Sequence, residues 1–193
     1  MTYLFLVPFV TACLYWGGVI ANAFLIKRRT GDAPSIRPKQ NLDYVLWLAW
    51  AVMIGLWAAS PWIVDPEDLF FTSRVLTALG GLILVAGFSG TWWCYIALGN
   101  AWAISVNEGQ TNKLITTGPY RWARHPIYSL QWLIVLGSFL IVPSIPLLLS
   151  LVILTFAMQW KARYEEVALG RVFGEDYEAY SRTTGRFVPF RCC

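Results

Sequence analysis

Residues 126–160 read PIYSLQWLIVLGSFLIVPSIPLLLSLVILTFAMQW, a run of thirty-five positions without an acid or a base. The hydrocarbon core of a bilayer is about 30 Å thick and takes roughly 20 apolar residues as a helix. One helix over the whole run would reach about 50 Å at 1.5 Å per residue. The run is therefore too long for one span. Pro143-Ser144-Ile145-Pro146 sits in its middle, and proline both removes a helix donor and clashes with the preceding turn. The pattern predicts a hairpin of two short helices, Ile127 to Val142 and Leu147 to Trp160. Each is shorter than an ordinary span, so the hairpin either crosses incompletely or thins the bilayer locally.

Three more uncharged runs lie upstream, Met1 to Ile26, Tyr44 to Val64 and Val75 to Asn107. They predict spans of about Tyr3 to Ile26, Tyr44 to Ile63 and Arg74 to Leu98. The first reads as a span and not as a cleaved signal. It lacks a basic n-region, and Lys27, Arg28 and Arg29 follow it instead. The sequence is 57% hydrophobic and 13% charged, against roughly 25% charge in soluble domains. The fold class that follows is all-α, a polytopic membrane protein with five transmembrane helices, three spans plus the proline-turned hairpin. Residues 1–193 form a single integral membrane domain, in which residues 1–98 carry the three N-terminal spans. The loop from Lys27 to Asp43 contains Gly31, Pro34 and Pro38 and reads as irregular.

Charge placement orients the bundle. Of the 15 Lys and Arg, all but Arg74 lie at Lys27–Lys39, Lys113–Arg124 or from Lys161 onward. The positive-inside rule makes that side cytoplasmic and leaves the N-terminus outside and the C-terminus inside. Topology thus accounts for the net charge of +4 without a nucleic-acid partner. Cys13 and Cys94 read as small apolar residues of the spans, while Cys192 and Cys193 carry no assignment. The third span holds Gly80, Gly81, Gly87 and Gly90. The small-residue spacing of Ala86 and Gly90 predicts close helix packing there. No internal repeat is visible and no predicted span contains an acid or a base, which argues against a transporter or an ion relay.

From Lys161 to about Arg182 the chain becomes charged and predicts a cytoplasmic C-terminal helix lying on the membrane. Tyr164, Val167, Ala168, Val172, Phe173, Tyr177 and Tyr180 recur at three- and four-residue spacing as one apolar face. Lys161 with Glu165 and Glu178 with Arg182 are spaced to pair along it.

Phosphate-binding loops of the GxxxxGK[ST] and GxGxxG types are absent. One histidine and no clustered cysteines exclude the usual zinc sites, so no metal is expected. The chemistry-bearing residues gather instead near the basic face. They are Asn100 and Trp102, the segment Gly118-Pro119-Tyr120-Arg121-Trp122-Ala123-Arg124-His125-Pro126-Ile127-Tyr128, Tyr164 to Glu166, and Arg186. Arg121 and Arg124 also suit anchoring to lipid headgroups, and Trp92 and Trp93 read as packing or interfacial aromatics.

These pieces resemble the isoprenylcysteine carboxyl methyltransferase family and its relatives among membrane phospholipid methyltransferases. Three segments carry the resemblance, over roughly Leu98 to Pro189. The first is Leu98-Gly99-Asn100-Ala101-Trp102. The second, Leu114 to Tyr128, is similar to the family's GxYxxxRHPxY signature. The third is Glu165-Glu166 with Leu169, Phe173-Gly174, Tyr177, Tyr180, Arg186, Phe187 and Pro189. The resemblance implies S-adenosylmethionine as methyl donor, held in a cytoplasmic pocket by a core over residues 99–193. That core comprises the hairpin 127–160 and the C-terminal helix 161–182. It implies that Tyr120, His125, Pro126, Tyr128 and Glu165 bind the cofactor. Arg186 and Glu166 would act where cofactor and acceptor meet, Glu166 being the carboxylate expected to face the site and Arg186 a fork for an acceptor carboxylate.

The implied partner is membrane lipid together with a lipophilic small-molecule or lipidated acceptor. Carboxyl O-methylation of an isoprenylcysteine-like group comes first and N-methylation of a phospholipid amine second. An amine needs a base, for which Glu166 or His125 are the candidates. Sterol-type membrane reductases share the C-terminal pattern but are expected to be longer, and a non-catalytic scaffold predicts no cofactor binding at all.

Overall fold

The computed structural model describes residues 2–31, 41–102 and 113–189, with the backbone alone for 2 and 41–43. Most of the loop expected between Lys27 and Asp43 lies outside the described residues, as do Cys192 and Cys193. The described residues are helical: α1 Thr2–Phe5, α2 Val7–Thr30, α3 Asn41–Ile63, α4 Arg74–Leu98, α5 Pro126–Ile141, α6 Ile145–Phe173 and α7 Glu175–Thr183. Tyr3–Thr30, Tyr44–Ile63, Arg74–Ala101 and Ile145–Phe173 are long and apolar enough to cross a membrane. At 16 residues, α5 is shorter, spanning about 24 Å by helical rise. The multi-pass membrane architecture read from the sequence is therefore present as four long apolar helices and one short one.

Local chemistry sets the ends. Ser73 begins α4, its hydroxyl accepting the Leu76 N–H at 3.4 Å. Lys27, Arg28 and Arg29 fill the last turn of α2, where cations complement the helix dipole. The hairpin turn forms at the expected prolines. Pro146 stands in the first turn of α6, the position where a missing N–H costs nothing. The Phe70 N–H donates to the Pro143 carbonyl at 2.9 Å, joining the Pro66–Asp68 loop to the hairpin tip.

The structure departs from the expected elements after this turn. The second hairpin helix does not stop at Trp160, and no separate helix starts at Lys161. One helix, α6, runs for 29 residues to Phe173. A change from apolar to charged residues does not interrupt backbone hydrogen bonding. Gly174 does, at φ 51° and ψ −124°, a conformation that glycine adopts readily. The predicted helix 161–182 is thus split, its first half extending α6 and its second half forming α7. Glu165 lies 20 residues into α6, about 30 Å along its axis, roughly the thickness of the apolar core.

Buried side chains tie the helices together. Met53 and Trp57 of α3, Ile134 and Val135 of α5, and Leu147 and Leu154 of α6 have almost no exposed surface. Among them is a small polar centre. Ser138 Oγ stands 3.0 Å from Thr11 Oγ1 and accepts the Trp57 indole N–H at 3.3 Å. Such bonds satisfy polar groups that lipid cannot. Trp92, Ile96 and Phe156 are exposed, as lipid-facing side chains of a span are.

Glycines do seal α4 against α5, and Gly90 of the expected pair is one of them, an added Cβ there lying 2.5 Å from Leu130 Cδ2. A Cβ on Gly80 would lie 2.8 Å from the Gly137 carbonyl oxygen, and one on Gly87 would lie 2.6 Å from Ile134 Cγ1. Ala86 is exposed and takes no part.

Candidate active site

Four helix ends meet at one pole of the bundle, namely the C-termini of α2, α4 and α6 and the N-terminus of α5. Ile26 of α2 clusters there with Tyr95 of α4 and with Trp102. The Gly118–Arg121 turn folds against α4, and Gly118 permits this. Its φ is 61°, and an added Cβ would sit 3.2 Å from Ala97 Cβ.

His125 ends this turn and Pro126 begins α5. Proline fixes its own φ for a helical start and pushes the residue before it toward extended backbone. His125 accordingly sits at φ −125° and ψ 58°, with its ring inside the bundle. The ring stacks on Tyr128 at 5.6 Å between centroids. Its Nδ1 lies 3.6 Å from Glu165 and its Nε2 lies 3.4 Å from Glu166, the second contact lacking hydrogen-bond geometry. The last described segment runs alongside. Arg124 N–H donates to the Gly185 carbonyl at 2.8 Å, and His125 N–H donates to that of Arg186 at 2.9 Å.

The two adjacent carboxylates are used differently. Glu166 takes both arginines. Arg186 reaches it through two N–H donors at 2.9 and 2.5 Å, and Arg124 Nε donates to it at 3.1 Å. Arg124 also donates to the carbonyls of Ser181 at 2.7 Å and Thr184 at 3.1 Å, fixing the end of α7. Glu165 accepts the Tyr128 hydroxyl at 2.9 Å and faces Lys161 Nζ at 3.6 Å. The expected Lys161–Glu165 and Glu178–Arg182 pairs are both present.

Beneath this cluster lies a cavity of about 390 Å³, within the usual range for small-ligand sites. Tyr120, His125, Tyr128 and Glu165 line it, whereas Glu166, Arg186 and Pro126 do not. Glu166, expected to face the site, stands beside this cavity, 3.4 Å from His125 Nε2. Successive helix positions point about 100° apart, and the arginine pair draws Glu166 into a clamp beside the cavity. Arg186 likewise spends its fork on Glu166, which raises its guanidinium further above the ordinary value.

The first two spans contribute more than the sequence disclosed. Tyr15 and Trp16 of α2 and Trp47 and Trp50 of α3 line the same cavity, with Gln131 of α5 and Tyr95 of α4. Several of their polar atoms are buried without a partner: Trp16 Nε1, Trp50 Nε1, Tyr95 OH and Gln131 Nε2. Above the cavity, burial pushes the Tyr180 phenol up to about 12, with Arg124 pulling the other way. Burial also raises Tyr120 and Tyr177. These phenols stay neutral near pH 7 and offer ring faces and donors, not bases. Among the described residues no group of His, Cys, Asp and Glu is arranged to hold a metal ion.

Residues 75–176 match the model of the phospholipid methyltransferase family, more than half of the 193 residues. The chain is 30% identical over 125 residues to the nickel-cobalt-cadmium resistance protein NccN of Alcaligenes xylosoxydans xylosoxydans, covering 64% of this chain and 54% of that protein. It is 30% identical over 146 residues to the cobalt-zinc-cadmium resistance protein CzcN of Cupriavidus metallidurans, covering 70% of this chain and 63% of that one. The chain thus spans between half and two thirds of these two relatives. It is 29% identical over 178 residues to a probable protein-S-isoprenylcysteine O-methyltransferase of Oryza sativa subsp. indica, covering 89% of this chain and 87% of that protein. The fold is similar to that of a eukaryotic intramembrane Ras methyltransferase, isoprenylcysteine carboxyl methyltransferase, with a TM-score of 0.57 at 17% identity, over 80% of this chain and 55% of that one. The chain belongs to the phospholipid methyltransferase family, with the isoprenylcysteine methyltransferases among its relatives.

Proposed function

We propose that this protein is an integral membrane methyltransferase that uses S-adenosylmethionine to methylate a lipophilic acceptor. The first reading is carboxyl O-methylation of an isoprenylcysteine-like group. The observation that carries it is the cavity itself. Aromatic walls, an acid and unpartnered buried donors stand together at the charged pole of an otherwise apolar bundle. A water-soluble donor and a membrane-soluble acceptor can meet at such a place.

The residues fit the cofactor. Tyr120, Tyr128 and His125 supply ring faces for an adenine or, by cation–π attraction, for a sulfonium. Glu165 supplies a carboxylate for the ribose hydroxyls or the ammonium. Bound there, S-adenosylmethionine would supply an electrophilic methyl group on a sulfonium. The protein's own part is to bind, align and exclude water. An acceptor carboxylate is already ionised near pH 7 and needs no base. Holding two reactants in line contributes roughly 7–11 kcal/mol in favourable cases.

In this reading Tyr120, His125, Tyr128 and Glu165 bind the cofactor, while Glu166 and Arg186 hold the cofactor wall in place from outside the cavity. The basic pole, with the C-terminal segment, faces the cytoplasm under the positive-inside rule. All of residues 1–193 act as one domain, because spans within 1–98 share the cavity with the core.

A phospholipid amine is the second reading, favoured by the match of residues 75–176 to the phospholipid methyltransferase family. Membranes containing the protein, given methyl-labelled cofactor, are expected to label N-acetyl-S-farnesylcysteine as a base-labile ester. Base-stable label in phosphatidylethanolamine alone would replace the first reading with the second. No transfer to either acceptor or to total lipid, despite cofactor binding, would overturn both.

A further inference from the structure

We propose that Lys113 anchors the carboxylate at the amino-acid end of the methyl donor and so sets how tightly the cofactor is held. The inference rests on the methyltransferase reading and assigns one end of the same ligand.

Two strongly basic side chains line the cavity, Lys113 and Arg124. They differ in what they already hold. Every nitrogen of the Arg124 guanidinium is engaged. Its Nε and Nη2 meet Glu166, each at 3.1 Å, and its Nη1 donates to the Ser181 and Thr184 carbonyls. Arg186 and Lys161 are outside the lining, the first paired with Glu166 and the second 3.6 Å from Glu165. Among the described residues Lys113 makes no hydrogen bond or ion pair. It is exposed, and Leu114 and Ile115 line the cavity beside it. The chain leading to the Gly118–Arg121 turn therefore borders the cavity for three consecutive residues, and the first of them carries an uncommitted positive charge.

S-adenosylmethionine ends in an ammonium and a carboxylate. Glu165, the acid on the lining, suits the ammonium. The carboxylate needs the opposite charge. Lys113 brings three donors on a flexible four-carbon stem, which can reach an anion that the fixed and fully bonded Arg124 cannot. An acceptor carboxylate is a poorer match for this lysine. It is the nucleophile, and its charge disappears as it is methylated, so pairing it with a full positive charge favours the ground state over the transition state. The donor's carboxylate takes no part in the displacement, and its pairing contributes to binding alone. Position agrees with this assignment. Lys113 lies outside the membrane-spanning helices, where a water-soluble ligand arrives.

The test uses the full-length protein in detergent and reads ligand affinity from melting-temperature titrations, without turnover. The cofactor probes are S-adenosylhomocysteine and its decarboxylated analogue. The acceptor probes are N-acetyl-S-farnesylcysteine and its analogue lacking the carboxyl group. Wild type is expected to bind S-adenosylhomocysteine about threefold to tenfold tighter than the decarboxylated form, between an exposed ion pair and a charge-assisted hydrogen bond. The preference is expected to shrink in high salt. Lys113→Met is expected to bind both cofactor probes equally, at the wild-type affinity for the decarboxylated one, which also reports an intact fold. Lys113→Gln serves as an independent variant with the same expectation, and Lys113→Arg is expected to keep the preference. Equal affinity for the two cofactor probes in wild type overturns the proposal. So do neutral variants that keep the preference, or that lose both cofactor probes alike, as a structural role would have it. Neutral variants that still prefer S-adenosylhomocysteine but no longer distinguish the two acceptor probes also overturn it, and give Lys113 to the acceptor. Failure of the methyltransferase reading is a separate result, wild type binding neither cofactor probe.

Discussion

Arg124 and Glu166 each hold more than one polar partner, and neither acts alone. Glu166 accepts from Arg124 and from Arg186, and Arg124 continues to two carbonyls near the end of α7. The arrangement makes Arg124 a positioning residue. It fastens the segment Ser181 to Arg186 over the His125 turn and keeps Glu166 beside the cavity. Arg124→Ala is expected to cost about 2–3 kcal/mol of stability, since a charged hydrogen-bonded group then loses its partner. It is also expected to weaken S-adenosylhomocysteine binding at least tenfold. Arg124→Lys is expected to restore little of either, because an ammonium cannot reproduce the planar fork. Titrated melting curves of the three proteins check this, and a lysine variant that binds like wild type would contradict it. The sequence exposed Arg124 only as a basic residue near a membrane. Its partners lie 57 and 60 residues away, a distance no local pattern bridges. The exchange of Glu165 for Glu166 at the cavity has the same origin. Two adjacent acids differ only by helical phase, and phase depends on where α6 begins and how it packs.

Elements were legible where the backbone itself is constrained. The three upstream spans, the hairpin turn at Pro143 to Pro146 and the start of α5 at Pro126 all follow from run length and proline chemistry. The α6–α7 boundary is not legible from the shift in polarity at Lys161, which leaves the helix unbroken, and it falls instead at Gly174, eight residues beyond Glu166. The seam between α4 and α5 was half legible. Glycine content announced close packing and Gly90 takes part in it, while Ala86 does not and Gly80, Gly87 and Gly137 complete the seam. Gly137→Ala places a Cβ 2.8 Å from the Gly80 carbonyl oxygen and 2.9 Å from Leu84 Cγ. Backbone cannot yield as a side-chain tip can, so the change is expected to destabilise by about 1–3 kcal/mol. Gly81→Ala meets nothing within 4 Å and is expected to leave stability unchanged or raise it by up to about 1 kcal/mol. Thermal denaturation of the pair in one detergent tests the seam. Equal melting temperatures would mean that α4 and α5 do not pack this closely.

At the scale of the whole molecule, an apolar bundle holds a cavity between its N-terminal spans and its C-terminal half. The half with the recognisable signature was readable because its residues are tied to chemistry. Tyr15, Trp16, Trp47 and Trp50 were not, since an aromatic residue in a membrane span looks alike whether it meets lipid, a neighbouring helix or a ligand. The central claim is that this cavity binds the methyl donor through the His125 side. A ligand that binds only the folded protein raises its melting temperature by mass action, by about 2.7 kcal/mol of stabilisation at a hundredfold excess over Kd. The decisive measurement is the melting temperature of detergent-purified protein across a titration of S-adenosylhomocysteine, for wild type and for His125→Ala. The account predicts a dose-dependent rise in wild type that His125→Ala largely abolishes. No rise at millimolar ligand, in protein shown to be folded, would contradict it.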